Sequence, residues 1–359
     1  MSQPDDRERM RALILRYGWN STCYQLLNPG FQYWFSDASD DNESGAGYVE
    51  YAWTRIVAGS PVAPRTNLER AVQQFENDAK HYGRHVCYFA SEARLESCIA
   101  DKPGYSVILL GAQPVWNPGE FVNITAKSAS LRAQLHRASN KGTIAEEWPI
   151  TRATGNAELQ RVLDEWLETR GLPSLHFLVE PQTLADLDGR RIFVASKHGR
   201  VVGFLNVSPI PERNGWLVEQ FVRGRDAENG TIELLLERAA HTLAQEGFTY
   251  FTLGLSPLTQ QGGKQIQPVS PLIGFLLRWA RAHGRRFYNF EGLEFFKTKF
   301  EPEIWEPIYA ISNEPHFSLR SLYAIACAFT RGHPILTVLA GVGRAIAQEV
   351  RWLFQSSKS

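Results

Sequence analysis

Short aromatic and β-branched runs open the chain after residue 30. FQYWF, GYVEYAW and RIVAG follow one another across residues 31–60, with the acidic, Gly-rich stretch DASDDNESGAG between the first two. That pattern predicts strands in a hairpin-like arrangement with a polar loop. Asn67 is a candidate N-cap for the helix LERAVQQFENDAKHYG, which places Leu68, Val72, Phe75 and Ala79 on one face. HVCYFA (85–90) predicts a buried strand, Ser91 a cap for the helix ARLESCIAD, and YSVILLG (105–111) a further strand. The first part is thus β-rich and then alternates helix and strand.

A second unit is expected from Thr151. NAELQRVLDEWLETR (156–170) predicts an amphipathic helix, and RIFVASKHGRVVGFLNVSPI (191–210) a hairpin turning at His198-Gly199. The strand WLVEQFV (216–222), the loop RGRDAENG, the helix TIELLLERAAHTLAQEG and the strand FTYFTLG (248–254) follow. The tail differs. SLRSLYAIACAFTRG carries Leu319, Leu322, Tyr323, Ala326 and Phe329 on one helical face, and HPILTVLAGVGRAIAQEVRWLF sets a second apolar stripe beside Arg344 and Arg351. From Arg320 to Lys358 there are five Lys/Arg against one acid, Glu349, so these helices suit either an anionic membrane surface or the domain's own core.

Composition narrows the class. The 359 residues are 43% hydrophobic and carry 38 Lys+Arg against 38 Asp+Glu, which excludes a disordered chain and a polybasic nucleic-acid coat. The length fits two domains of ordinary size. No apolar run reaches signal-peptide or membrane-spanning length, which leads us to expect a cytoplasmic protein, peripheral at most on the inner face of a membrane. Cys23, Cys87, Cys98 and Cys327 lack metal or CxxC spacing and are expected as reduced core thiols. The nine histidines show no HxxxH or HExxH pairing, so no metal site is expected.

Three segments could carry chemistry. The loop after 222 feeds a helix N-terminus at Thr231, and Arg223 and Arg225 add charge there, a setting for a phosphate or an acyl oxyanion. An ordinary βα connection with two solvated arginines is the plainer reading of that loop alone. The acetyl-CoA loop Arg/Gln-x-x-Gly-x-Gly/Ala is not reproduced, because Arg223 and Gly230 are seven apart. RRFYNFEGLEFFKTKFEPEIWEPIY (285–309) interleaves aromatics with Arg285, Arg286, Lys297 and Lys299. Two lysines two apart do not share a helix face, so one is expected to enter a cleft and the other to point to solvent. LRAQLHRASNKG (131–142) with Arg132, Arg137 and Lys141, and RWARAHGRR (278–286) with Arg278, Arg285 and Arg286, are two basic helices that could contact phosphates.

Together these segments resemble the catalytic portion of the lysyl-phosphatidylglycerol synthases. The resemblance rests on NPGFQYWF with GYVEYAW, VAGSPVAP, SLRAQLHRASNKG, FVRGRDAENGTIELL, LGLSPL and FYNFEGLEFFKTKFEP, in that order over roughly residues 20–312. The order of hairpin, strand, loop, helix and strand in the second unit resembles the GNAT acyltransferase core. The resemblance implies an α/β protein of two tandem GNAT-like domains, 1–150 and 151–317, and the apolar stripes beyond them predict an amphipathic helical tail at 318–359. It implies transfer of an aminoacyl group from charged tRNA, as co-substrate, to a phosphatidylglycerol hydroxyl, with no cofactor expected. Carried over, Arg223 matches the family's arginine at a strand end, and Lys297 and Lys299 its Phe-Lys-x-Lys/Arg-Phe motif. The family's usual Asp three residues before that arginine is Gln220 here, with Glu219 beside it. We therefore expect Glu219, Gln220, Arg223 and Glu237 in catalysis and Arg225, Tyr288, Lys297 and Lys299 at the substrates. Arg132, Arg137, Lys141, Arg278, Arg285 and Arg286 are expected on aminoacyl-tRNA, with a phospholipid or membrane surface as the other partner. The family's membrane-spanning flippase portion has no counterpart here, so product export is not expected. Other functions left open are transfer to a small soluble amine or hydroxyl, a non-catalytic lipid- or RNA-binding module, and CoA-dependent acetyl transfer.

Overall fold

A computed structural model describes residues 4–37, 43–99, 101–169, 175–259, 261–263, 274 and 290–334. In chain order these form α1 (Pro4–Tyr17), β1 (Gln32–Phe35), β2 (Gly45–Tyr51), β3 (Thr54–Ala58), α2 (Leu68–His81), β4 (His85–Ser91), α3 (Ala93–Ile99) and β5 (Ser106–Trp116). Next come α4 (Pro118–Lys127), α5 (Ala129–Asn140), β6 (Thr143–Trp148), α6 (Ile150–Ala153), α7 (Ala157–Glu168), β7 (Arg191–Lys197), β8 (Arg200–Ile210) and β9 (Gly215–Arg223). The rest are α8 (Thr231–Gln245), β10 (Tyr250–Thr252), β11 (Ser256–Pro257), α9 (Phe290–Thr298), β12 (Ile304–Ser312) and α10 (Leu319–Thr330).

Among the described residues all twelve strands join one mixed sheet in the order β1-β2-β3-β4-β12-β5-β10-β9-β8-β7-β6, with β11 also on β5. The fold is α/β, as expected. The sheet does not follow the chain's order. β12 lies between β4 and β5, and β6 edges the sheet beside β7. The expected sequence of hairpin, strand, loop, helix and strand runs through β7, β8, β9, α8 and β10. The hairpin turns where expected, with His198 and Gly199 at φ 50° and 78°, the left-handed geometry of a two-residue turn between Lys197 and Arg200.

Alternation along the strands sorts side chains to two faces. One face packs Leu205, Val207 and Val218 under α8 with Trp116, Phe121, Phe251 and Phe300. Its continuation buries Leu68, Val72, Phe75 and Ala79 of α2, the predicted stripe. The opposite face packs Phe204 and Val222 under α7. It continues into a core of Met10, Leu13 and Ile14 from α1, the one-turn helix Cys23–Leu27, Phe177, and Ala324 and Ala328 of α10.

Local details depart from expectation at three points. Ser91 does not cap α3; its hydroxyl donates to Gly59 O at 2.8 Å. Asn67 precedes α2 as predicted, but its side chain donates to Ser44 Oγ instead of capping. The apolar stripe expected on α10 packs only in part: Leu322 and Phe329 lie against the core beside the buried Ser321, Ala324, Cys327 and Ala328, while Leu319 and Tyr323 are exposed. The second tail helix lies outside the described residues. All four cysteines are free thiols, three of them buried. Among the described residues no helix is long and apolar enough to cross a membrane, and no group of His, Cys, Asp and Glu is placed to hold a metal.

Candidate functional site

A cleft of about 350 Å³ opens at the N-terminus of α8. Gln134 and Arg137 from α5, Arg223 at the end of β9, Thr231 and Glu233 of α8, and Phe296 of α9 line it. Gly230 makes this junction possible. Its φ is +99°, and a Cβ there would fall 2.1 Å from the Gln134 carbonyl oxygen. Among the described residues no side chain caps α8, so the positive end of its dipole is available to an anion. The Thr231 hydroxyl lining the cleft is buried and has no hydrogen-bond partner among the described residues. Arg223 is braced there, donating from Nη2 to Ala227 O at 2.9 Å and Asn229 Oδ1 at 3.0 Å.

Behind the cleft the sheet splits. β9 and β10 pair in parallel only at Gly215–Leu217 with Tyr250–Thr252. Beyond that, β9 runs on to Arg223 while the other chain turns away to pair with β5 through Ser256 and Pro257. Phe221 and Phe296 face each other across the gap with ring centroids 5.4 Å apart. Lys297 enters from α9 and is 2% exposed. Its Nζ donates to Gly254 O at 2.7 Å and Leu255 O at 3.0 Å, and among the described residues no carboxylate pairs with it. Burial lowers its pKa to about 7. A neutral amine has two N–H donors and one lone pair, so two carbonyls satisfy it and leave the lone pair free. Lys299 also turns inward. It pairs with Glu233, donates to Gln134 Oε1 at 3.2 Å and lies 4.3 Å from the centre of the Phe296 ring. The expectation that one of the two lysines points to solvent fails, because Glu233 and the aromatic rings draw the second one in.

A bulge in β9 separates the other expected residues from Arg223. The register jumps from Asn206↔Gln220 to Val207↔Val218, leaving Glu219 without a direct partner. Both Glu219 and Gln220 therefore lie on the α7 face, opposite α8. Arg190 Nε holds the Glu219 carboxylate at 3.0 and 3.1 Å, and Gln25 and Asn206 donate to it at 2.6 and 3.1 Å. Gln220 Oε1 accepts from Thr183 Oγ1 at 2.6 Å.

The remaining candidates disperse. Arg225 turns away to Glu168 on the surface, and Glu237 lies a turn beyond Glu233, outside the cleft lining. Arg132 caps the end of α4 through Ala126 O and Lys127 O at 2.6 and 2.7 Å. Lys141 binds Glu228, which Lys141 and Lys197 together hold at a pKa of about 2. Tyr288, Arg278, Arg285 and Arg286 lie outside the described residues. Sequence reasoning missed Gln134, Asn229 and Phe296 as cleft residues and Gln25 and Arg190 as partners of Glu219. The LRAQLH segment signalled the first; Gln25 reaches Glu219 only through tertiary contact.

The profile of the family described as phosphatidylglycerol lysyltransferase, C-terminal, matches residues 11–312. The chain belongs to this family. A phosphatidylglycerol lysyltransferase from Bacillus subtilis is 26% identical over 315 residues, 85% of this chain and 35% of that protein. The chain thus spans about a third of the length of the curated relatives it matches. The crystal structure of a C-terminal domain described as that of a lysylphosphatidylglycerol synthetase from Agrobacterium fabrum superposes with a TM-score of 0.77 at 24% identity, covering 92% of this chain and 98% of that one. L-PGS from Bacillus licheniformis gives 0.72 at 20% identity, covering 95% and 97%. At these identities the two structures show a shared fold. They agree with the phosphatidylglycerol lysyltransferase C-terminal family in which the resemblance placed the chain.

Proposed function

We propose that this chain moves an aminoacyl group from a charged tRNA to the hydroxyl of a phospholipid such as phosphatidylglycerol, working at the inner face of a membrane. The observation that carries the reading is the split between β9 and β10, with a cleft lined by Arg137, Arg223 and the N-terminus of α8 on one face, a buried polar cluster on the other and Lys297 beside the split. Membership of the family and the names of its relatives support it.

The ester joining an amino acid to tRNA is already activated, so alignment and charge stabilisation suffice. Arg137, Arg223 and the N-terminus of α8 take the phosphates of the tRNA 3′ end, with Lys299 at their edge. The ester carbonyl lies in the split. The acceptor hydroxyl enters from the face of Gln220, and its oxygen bonds to the carbonyl carbon. The bond to the ribose oxygen breaks, and the acceptor's proton passes to that oxygen by way of Lys297. Glu219 is saturated by Arg190, Gln25 and Asn206, which suits it to fixing the bulge beside Gln220. The soluble-acceptor alternative draws on the neutral Gln220, where the family usually has an acid.

Incubation with mixed radiolabelled aminoacyl-tRNAs and a lipid extract tests the reading. Label in the lipid phase, much reduced by Arg223→Ala, is expected. Label only in a water-soluble amine would favour the soluble acceptor, and acetyl transfer from acetyl-CoA a different donor.

A further inference from the structure

The loop from His176 to Arg190 is closed by one side chain. Asn28 Nδ2 donates to Phe177 O at 3.1 Å, and Asn28 Oδ1 accepts from Arg190 Nη2 at 3.3 Å, so the two ends of the loop meet at a single amide. Loops of this length with joined ends are compact and frequently functional. Phe177 anchors the first end. It is buried, stacks on Phe31 with ring centroids 5.3 Å apart and meets Phe329 of α10 edge-on at 5.5 Å. Its φ of 66° is costly for a phenylalanine and is held by these contacts. His176 N donates to Phe329 O at 3.0 Å, and Arg331 after α10 lies 3.6 Å from Glu180. Leu187 anchors the second end in the core under α7, and Tyr24 donates to Asp188 O at 2.9 Å.

Both residues of the β9 bulge are held from this loop. Arg190 takes Glu219, and Thr183, in the one-turn helix Thr183–Ala185 midway along, donates to Gln220 Oε1 at 2.6 Å. A glutamine amide carries two N–H donors and one acceptor oxygen. With that oxygen occupied by Thr183, Nε2 is what Gln220 offers an incoming group, and it has no partner among the described residues. The carboxylates around it are spent on arginines: Glu180 on Arg331, Asp186 on Arg7, Asp188 on Arg11 and Glu219 on Arg190. The bulge therefore presents hydrogen-bond donors and no unpaired negative charge. A hydroxyl oxygen accepts from such donors. An ammonium has only donors of its own and would leave its charge unmatched there.

We propose that Thr183 is a specificity-determining residue: by fixing the Gln220 amide with its N–H groups free, it selects a hydroxyl-bearing acceptor over an ammonium-bearing one. The inference rests on the transfer reading above and names the residue that governs its acceptor. Transfer from mixed charged tRNAs to phosphatidylglycerol is measured with the full-length protein, with water-soluble glycerophosphoglycerol and glycerophosphoethanolamine as competing inhibitors. Wild type is expected to bind the glycerol compound more tightly. Thr183→Val keeps the shape of the side chain and removes the hydroxyl, so the amide can turn Oε1 outward. The inhibition constant of the ethanolamine compound relative to that of the glycerol compound should then fall roughly ten-fold. The KM for charged tRNA should not change, and Thr183→Ser should restore the wild-type ratio. Asn28→Ala, which opens the loop, should shift the ratio in the same direction as Thr183→Val. An unchanged ratio in Thr183→Val overturns the proposal and leaves the transfer reading standing. Slower transfer with an unchanged ratio overturns it too, since that is the mark of a merely structural role. Should wild type transfer nothing to any acceptor, the transfer reading falls. Calorimetric binding of the two headgroup compounds then reads the same ratio, and a shift in Thr183→Val keeps the proposal while a constant ratio sinks it.

Discussion

Folding moves the Lys297 side chain from water to a site with two carbonyl oxygens and, among the described residues, no carboxylate. The consequence is a pH dependence of known sign. The folded pKa is about 7 against an ordinary 10.5, so between those values the unfolded chain holds a proton that the folded protein lacks. Stability therefore rises with pH across that window and is flat below it. Lys297→Met removes the slope, and its stability difference from wild type in urea unfolding should change by roughly 4 kcal/mol between the two ends of the window. A constant difference would mean that the lysine stays charged. The spacing of Lys297 and Lys299 correctly placed them on different helix faces. That both faces are covered was not legible, because Glu233 and the Gly254 carbonyl come from segments far away in the chain. The place of Arg223 before α8 was legible, because a βα loop before a long helix is a local pattern. The separation of Gln220 from Arg223 by the sheet was not.

At the scale of elements, the approach of α5 to α8 depends on Gly230. Gly230→Ala would set a Cβ against the Gln134 carbonyl oxygen and force a non-glycine residue to φ +99°. The two helices must separate, which should cost about 2–4 kcal/mol in chemical denaturation and weaken tRNA binding in a filter assay more than Arg132→Ala does. The helices α2, α5, α7 and α8 and the β7–β8 hairpin were legible because their periodicity, caps and turn residues are local signals. Asn156, for example, caps α7 by accepting from Glu158 N and Leu159 N at 3.0 and 3.2 Å. The bulge at Glu219 was not legible, since VEQF alternates no differently from a regular strand. Nor was the pairing of β12 with β4 and β5, which joins residues some two hundred positions apart.

Across the whole molecule, one buried charge network ties the sheet together. Arg213, before β9, donates to Glu92 at the end of β4 at 3.0 Å and to Glu306 of β12 at 2.8 Å. Glu306 also accepts from Gln113 of β5 and Tyr250 of β10 at 3.0 and 2.8 Å, and the Arg213 guanidinium stacks 3.7 Å from the Tyr250 ring. Arg213→Met would strand two carboxylates, and we expect a loss of about 3–5 kcal/mol that Glu92→Gln with Glu306→Gln largely restores. Global unfolding followed by fluorescence would show both effects. The neutral net charge also has a clear spatial meaning in part: Lys141 and Lys197 are spent on Glu228, while Arg137 and Arg223 remain at the cleft. The central claim is that an aminoacyl group crosses the split beside Lys297 from tRNA to lipid. The most direct test is single-turnover transfer from radiolabelled aminoacyl-tRNA to phosphatidylglycerol by wild type and Lys297→Met. The account predicts labelled lipid with wild type and a loss of roughly 100-fold in the variant at unchanged tRNA affinity. Full transfer by Lys297→Met, or no lipid label from any charged tRNA with wild type, would contradict it.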